Sequence, residues 1–498
     1  MSTLVDRPFT AQRSQSYSNP SFNKPQGTLF IEVKLVDDAD DDPFVDIMSI
    51  KRDVLKSLNN DFAQVKIGTH LDMSGFVQTV KVAGHSSFER NSRYHTLSNN
   101  NLDVALYSLS TSYNDQSVGQ SEGDDTSTQF SVTSLPHKDF DGLWELLTFS
   151  EPIPESILRK ITRMVRIFTE NQIAPADICW HNLILLHGPP GTGKTTLAQA
   201  LAQKLSIRMV HTFPEARLLE VNSHTLLSKW FGDSSKLIGQ LFQHIRTLSA
   251  NESLLTVVLI DEVETLAGSR EKASEGNECG DVLRASLRCS TNELLQGLDR
   301  LRNRPNVVVI CTSNIKEAVD AAFVDRCRIK EFIDIPNSDC VYEILRSALN
   351  ELVRKNLVSY KSGPQMDLLC EKTYIPSLEW VIGHLEYQPD TVPTQLQRIA
   401  RTANGISART LRALPFSALV GHIIHEPCHM YELLEALRFE IEKEKGIRNG
   451  SRLLVADTVE DREPNLTDED SDSGGCTVIE NHLALAKESV DDVQELVK

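Results

Sequence analysis

The chain runs to 498 residues, with 51 lysines and arginines against 69 aspartates and glutamates, a formal charge of −18 at neutral pH. That length suits about two to four domains with well-buried cores, and the acidic balance argues against broad binding to nucleic-acid backbones, which needs clustered basic surface. Nine scattered cysteines without CxxC or Cys/His spacing support neither a zinc site nor a disulfide framework, and no apolar run reaches the roughly 18 residues of a membrane helix.

Residues 1–27 are serine-rich with few acids and lack a signal-peptide core; they read as a disordered tail, with an organelle presequence as the alternative, and the expected location is cytoplasm or nucleus. At 28–36, TLFIEVKLV is an alternating, β-branched run that reads as a strand. It opens a small α+β domain predicted over 28–134. Inside that domain, 110–129 has almost no core-forming residues and is expected to be a long loop or insertion. From 135 to 336 the pattern changes. LILLHG (183–188), TVVLIDE (256–262) and NVVVICTSN (306–314) are continuous apolar runs of strand length, suited to parallel strands covered on both faces. Between them, Leu237, Ile238, Leu241, Phe242, Ile245 and Leu248 fall on one helical face. Strands alternating with helices predict an α/β fold with a three-layer parallel sheet. Residues 337–447 read as a smaller helical domain, and 448–498 as an acidic tail that cannot bury enough apolar surface to order itself.

The chemistry begins at 188–196. Gly188, Pro189, Pro190, Gly191, Thr192, Gly193, Lys194, Thr195 and Thr196 fit the pattern G-x-x-x-x-G-K-[ST] after a strand and before a helix, the context a phosphate-binding loop requires. Glycines let backbone N–H groups turn toward phosphate oxygens, and the helix N-terminus adds its dipole. Lys194 suits the β- and γ-phosphates of ATP, and the Thr195 hydroxyl suits Mg²⁺. An acidic pair ending a strand is often only a solvated turn. With the loop upstream, Asp261 reads as a holder of Mg²⁺ and Glu262 as the group that polarises the attacking water. Asn314, ending the next strand, is a candidate to orient that water, although alone such an asparagine is usually a turn residue. Arg326 and Arg328 are candidates for the arginine that neutralises transition-state charge in a neighbouring subunit, with surface ion pairing as the alternative. In the helical region Arg409, and secondarily Arg412, lie near a helix start from which the phosphates are within reach in cis. Lys229, Trp230, Phe231 and Gly232 place two aromatics in an apparent turn; taken alone they read as core residues covering the next helix.

The phosphate loop, VVLIDE, TSN, the paired arginines and GISAR resemble the AAA+ ATPases. More narrowly, VNSHTLLSKWFGDSSKL, VLIDEVETL, VVICTSNIKEAVDAAFVDRCRIKEF, GISARTLRALPF and the lead-in LPHKDFDGLWELLTF resemble the pachytene checkpoint protein 2, or thyroid receptor-interacting protein, family of AAA+ remodellers. The resemblance spans 135–447. It implies a P-loop ATPase domain with a small helical lid, preceded by a domain that recruits substrate or an adaptor. It further implies a ring hexamer that partly unfolds HORMA-domain proteins through a central pore. The setting would be meiotic recombination, chromosome axes and the spindle checkpoint, in nucleus and cytoplasm, with no membrane and no direct nucleic-acid partner. Carried over by residue, Lys194 and Thr195 hold ATP and Mg²⁺, Asp261 and Glu262 serve hydrolysis, Asn314 is the first sensor and Arg409 the second. Lys229 to Gly232 become a substrate-gripping pore loop, with 267–281 as its companion. One departure is Arg328, where the family carries an acidic residue; the trans arginine stays open between Arg326 and Arg328, with Arg326 preferred. Two other classes compete: a nucleotide-gated scaffold with little turnover, against which Glu262 and Asn314 speak, and a nucleic-acid motor, against which the acidic balance speaks.

Overall fold

The computed structural model describes residues 27–36, 46–71, 75–86, 94–97, 101–111, 130–171, 182–228, 234–268, 278–302, 304–360, 374–384 and 391–460. The expected pore loop at 229–232, most of the loop at 110–129, most of 267–281 and the predicted tails, apart from the helix to residue 460, lie outside these residues. The chain divides into two compact units, Met1–Ile441 and Glu442–Lys498.

The N-terminal region is built on β1 (Thr28–Leu35), which is buried along nearly its whole length. Helix α1 (Ile47–Asp61) starts where the Asp46 carboxylate accepts the Met48 N–H at 3.1 Å, an N-cap that satisfies one orphan donor. It sets Val54 and Leu58 into a core with Ile31, Val33, Val80 and Val104. A minor antiparallel ribbon joins β2 (Gln64–Lys66) to β5 (Tyr94–Thr96). The main sheet has the order β3–β4–β1–β6, with β3 (His70–Leu71) and β4 (Val77–His85) antiparallel to their neighbours and β6 (Asn101–Tyr107) parallel to β1.

The larger sheet carries the predicted α/β character. Its strands are β7 (Phe130–Leu135), β8 (Leu183–His187), β9 (Glu215–Val221), β10 (Leu254–Ile260), β11 (Val307–Ser313) and β12 (Ile329–Phe332). Their order is β12–β8–β11–β10–β9–β7. Five run parallel, and every residue of β10 and β11 is buried, as expected for strands covered on both faces. The sheet is not wholly parallel, however. β7, inside the stretch read from sequence as the N-terminal domain, pairs antiparallel with β9 (Val132 opposite Leu219) and forms an edge of this sheet.

After the short α2 (Leu143–Leu146), one face of the sheet is covered by α3 (Ile153–Glu170) and α4 (Lys194–Arg208), the latter packing Leu197, Leu201 and Leu205 on Leu186, Leu218 and Ile310. The other is covered by α6 (Ser234–Leu248), which follows the short α5 (Ser223–Ser228), and by α7 (Glu278–Leu301). A short α8 (Ala321–Arg326) precedes β12. Helix α4 is buried nearly all round, because its outer side meets β1: Lys204 Nζ donates to Glu32 Oε2 at 2.5 Å, and the Arg208 guanidinium lies 4.3 Å from the centre of the Phe30 ring.

The lid follows. Asn337 caps α9 (Ser338–Arg354) through its side chain, and Leu345 and Leu349 pack on α11 (Val392–Thr402), α12 (Ala408–His422) and the start of α13 (Met430–Glu460) through Leu396, Leu411 and Leu437. The small α10 (Leu378–His384) adds Leu378 and Val381. Among the described residues no helix is long and apolar enough to cross a membrane.

Candidate active site

The strands of a parallel sheet present their C-terminal ends to one side, where ligands gather. β8 delivers the phosphate loop there. Gly188 has φ 147° and its N–H donates to Ser313 O at 3.2 Å. A Cβ at this position would stand 2.1 Å from Ile333 O, so no side chain fits. The loop passes directly into α4 at Lys194, whose ammonium donates to Gly188 O at 2.8 Å and Pro189 O at 2.7 Å. Thr192 braces the turn with a hydroxyl bond to Pro189 O at 3.0 Å. Burial pushes the Lys194 pKa below its ordinary value, opposed by the carboxylates of Glu264 and Asp261. A cation at a helix N-terminus also works against the helix dipole. The site therefore holds a cation that gains from the arrival of an anion.

The loop and β10 meet through side chains. The Thr195 hydroxyl donates to Asp261 at 3.0 Å from Oδ1 and 3.2 Å from Oδ2. Two protein oxygens of this kind suit Mg²⁺, which takes one or two protein ligands and completes its octahedron with phosphate and water. Asp261 is fixed in turn by Thr312, whose hydroxyl donates to Oδ1, and by Ser223, whose hydroxyl donates to its carbonyl at 2.5 Å.

Glu262 adopts φ 53°, ψ 52°; among the described residues only one other non-glycine residue, Asn356, has positive φ. Such a conformation costs about 1–3 kcal/mol and persists only where the surroundings impose it. They do: the Glu262 N–H donates to Thr312 Oγ1 at 3.1 Å, and its carbonyl accepts the Thr265 N–H at 3.0 Å and hydroxyl at 2.9 Å. The twist separates the directions of two adjacent carboxylates, leaving Asp261 on Thr195 while Asn314 Nδ2 donates to Glu262 Oε1 at 3.3 Å. Asn314 is itself fixed by its backbone N–H, which donates to Glu264 Oε1 at 2.9 Å. A cavity of about 500 Å³ opens beside Thr195, Glu220, Asn222, Asp261 and Glu262.

The lid reaches the loop through backbone. The Arg409 N–H donates to Gly191 O at 3.0 Å, and the N-cap of α12, Ser407, stands where a Cβ on Gly191 would come within 2.9 Å of its Oγ. Arg409 is close enough for its charge to act on Lys194. Arg412 instead donates to Leu146 O. Arg326 ends α8 and is bound by Asp299, whereas Arg328 is exposed and donates its backbone N–H to Leu183 O at 3.0 Å. Lys194, Thr195, Asp261, Glu262, Asn314 and Arg409 are thus assembled within one chain, and Arg326 and Arg328 stand apart from them. Sequence reasoning missed Ser223, Glu264, Thr312, Ser407 and Asp299. Thr312 carried a signal: it sits at the end of a buried parallel strand, where a polar side chain is rarely idle.

Residues 184–335 match the ATPase family associated with various cellular activities (AAA), and residues 337–445 match the TRIP13-like AAA+ ATPase lid C-terminal domain. The chain is 40% identical over 335 residues to the pachytene checkpoint protein 2 homolog of Oryza sativa subsp. indica, covering 66% of this chain and 68% of that protein. It is 36% identical over 310 residues to the homolog of Homo sapiens, covering 62% and 68%. In three dimensions it is similar to PCH-2 of C. elegans, with a TM-score of 0.64 at 24% identity over 84% of this chain and 99% of that one.

Proposed function

Because the chain belongs to the pachytene checkpoint protein 2 family of AAA+ ATPases, we propose that it hydrolyses ATP to remodel HORMA-domain proteins, engaged directly or through an adaptor. The observation that carries the enzymatic part is Glu262, held in a left-handed backbone beside Asn314. On this reading Lys194 exchanges the carbonyls of Gly188 and Pro189 for β- and γ-phosphate oxygens. Thr195 and Asp261 would hold Mg²⁺, which would supply charge neutralisation to the phosphates. Glu262 takes a proton from the water whose oxygen attacks the γ-phosphorus, while the bond to the β-phosphate oxygen breaks and ADP leaves. Asn314 orients that water, and Arg409 carries the state of the γ-phosphate to the lid. A neighbouring subunit supplies Arg326, which requires an assembly, proposed as a hexameric ring.

Family membership supports the remaining reading. The substrate passes through the ring pore, gripped by Lys229, Trp230, Phe231 and Gly232. The work lies in meiotic chromosome-axis control and the spindle checkpoint, in nucleus and cytoplasm. Glu262→Gln should bind ATP without turning it over, and a pull-down with this trap in ATP should enrich HORMA-domain proteins; a trap that enriches none refutes the substrate class. Trp230→Ala should lose remodelling of such a substrate, and full remodelling by this variant would remove the pore-loop assignment.

A further inference from the structure

Arg326 is held before any neighbour arrives. Its Nε–H and one Nη2–H donate to the two Asp299 oxygens at 2.9 and 3.0 Å, and one Nη1–H donates to Ala322 O at 2.8 Å. A guanidinium has five N–H donors. Three are used, and the two left, one on each terminal nitrogen, form the fork that grips a pair of phosphate oxygens. Both partners stand on rigid supports: Arg326 lies between the buried Phe323 and Cys327, and Asp299 lies in the last turn of α7 between the buried Leu298 and Leu301. The pair is nevertheless accessible, with side chains 31% and 48% exposed. A bidentate pair between two anchored elements fixes the plane and direction of the guanidinium.

We propose that Asp299 is a positioning residue: it fixes the Arg326 guanidinium side-on so that its end-on fork is presented to the nucleotide site of the next subunit. This rests on the reading of Arg326 as the trans arginine. Arg328 is exposed and has no comparable side-chain support among the described residues.

The test is steady-state ATPase kinetics of the full-length assembly. Asp299→Ala should lower kcat about 10- to 100-fold, the effect of a misplaced group, with KM for ATP within about twofold. Asp299→Asn, which keeps one acceptor oxygen, should fall between. Because the defect acts on the neighbour, co-assembly of Asp299→Ala with Glu262→Gln subunits should recover turnover to the same extent as co-assembly of Arg326→Ala with Glu262→Gln. Recovery in the arginine mixture but not in the aspartate mixture would overturn the proposal and mark a folding defect. Wild-type kcat in Asp299→Ala alongside an inactive Arg326→Ala would also overturn it. Wild-type kcat in Arg326→Ala would instead remove the trans-arginine reading itself.

Discussion

Helix α4 carries cations at both ends, and the protein treats them in opposite ways. At its first residue, Lys194 is buried and donates to two carbonyls, with the Glu264 and Asp261 carboxylates acting on it only from a distance, at the end where the helix dipole repels positive charge. In its last two turns, Lys204 meets the Glu32 carboxylate at 2.5 Å with Glu145 at 3.9 Å, and Arg208 rests on Phe30 at the end where the dipole favours a cation. Arg166 backs the same ring from 5.6 Å and pairs with Asp103 at 2.6 Å. Lys204, a structural cation, is neutralised within the fold. A binding cation is left short of negative charge, and the ligand completes it.

The sharpest way to break this contrast is at Lys194. Lys194→Met should lower ATP turnover by at least about 10²-fold, the scale for losing one donor aimed at developing charge, while the melting temperature without nucleotide stays level or rises. A marked loss of apoprotein stability would show that Lys194 is structural after all. Next comes Glu32→Ala, which strands the Lys204 ammonium. Urea unfolding should show a loss of about 3–5 kcal/mol, as for other broken buried pairs, lessened by what Glu145 supplies. Replacing both partners, Glu32→Leu with Lys204→Met, should recover most of that loss, since a buried pair is often no better than apolar residues of similar volume. Failure of the double variant to recover would mean that the charges themselves hold the N-terminal sheet to α4. The smallest effect is expected at Phe30→Leu, which keeps apolar volume and removes the ring beneath two guanidinium groups, for about 0.5–2 kcal/mol by the same measurement.

The contrast also explains what could be read from the sequence. The phosphate loop, the strand-end carboxylates and Asn314 announce themselves because their chemistry depends on local turns: Gly188 to Thr196 are contiguous, and Asp261 and Glu262 directly follow a fully buried, largely apolar strand. The three-layer α/β fold was legible for the same reason, in runs too apolar to be half-exposed. The far end of α4 was not. Lys204 and Arg208 look like a solvated helix face until Glu32, 172 residues earlier, is brought against them. Likewise, β7 has the alternating burial of an edge strand, and nothing in its residues says which of two sheets it joins. Asp299 was hidden differently. It acts by steadying another side chain, and a pairing of that kind leaves no spacing in the sequence. Residues 229–232, conspicuous as sequence, lie outside the described structure.

Gly188 has a consequence beyond the phosphates. Its missing side chain is the space occupied by the Ile333 carbonyl, and the Ile333 N–H donates to His187 O at 2.8 Å. Ile333 is the first residue after β12, five residues before α9 begins the lid. The opening of the nucleotide cradle and the root of the hinge thus share one van der Waals surface. Gly188→Ala would act as a wedge driven into the hinge, altering how the lid is seated before any ligand is present.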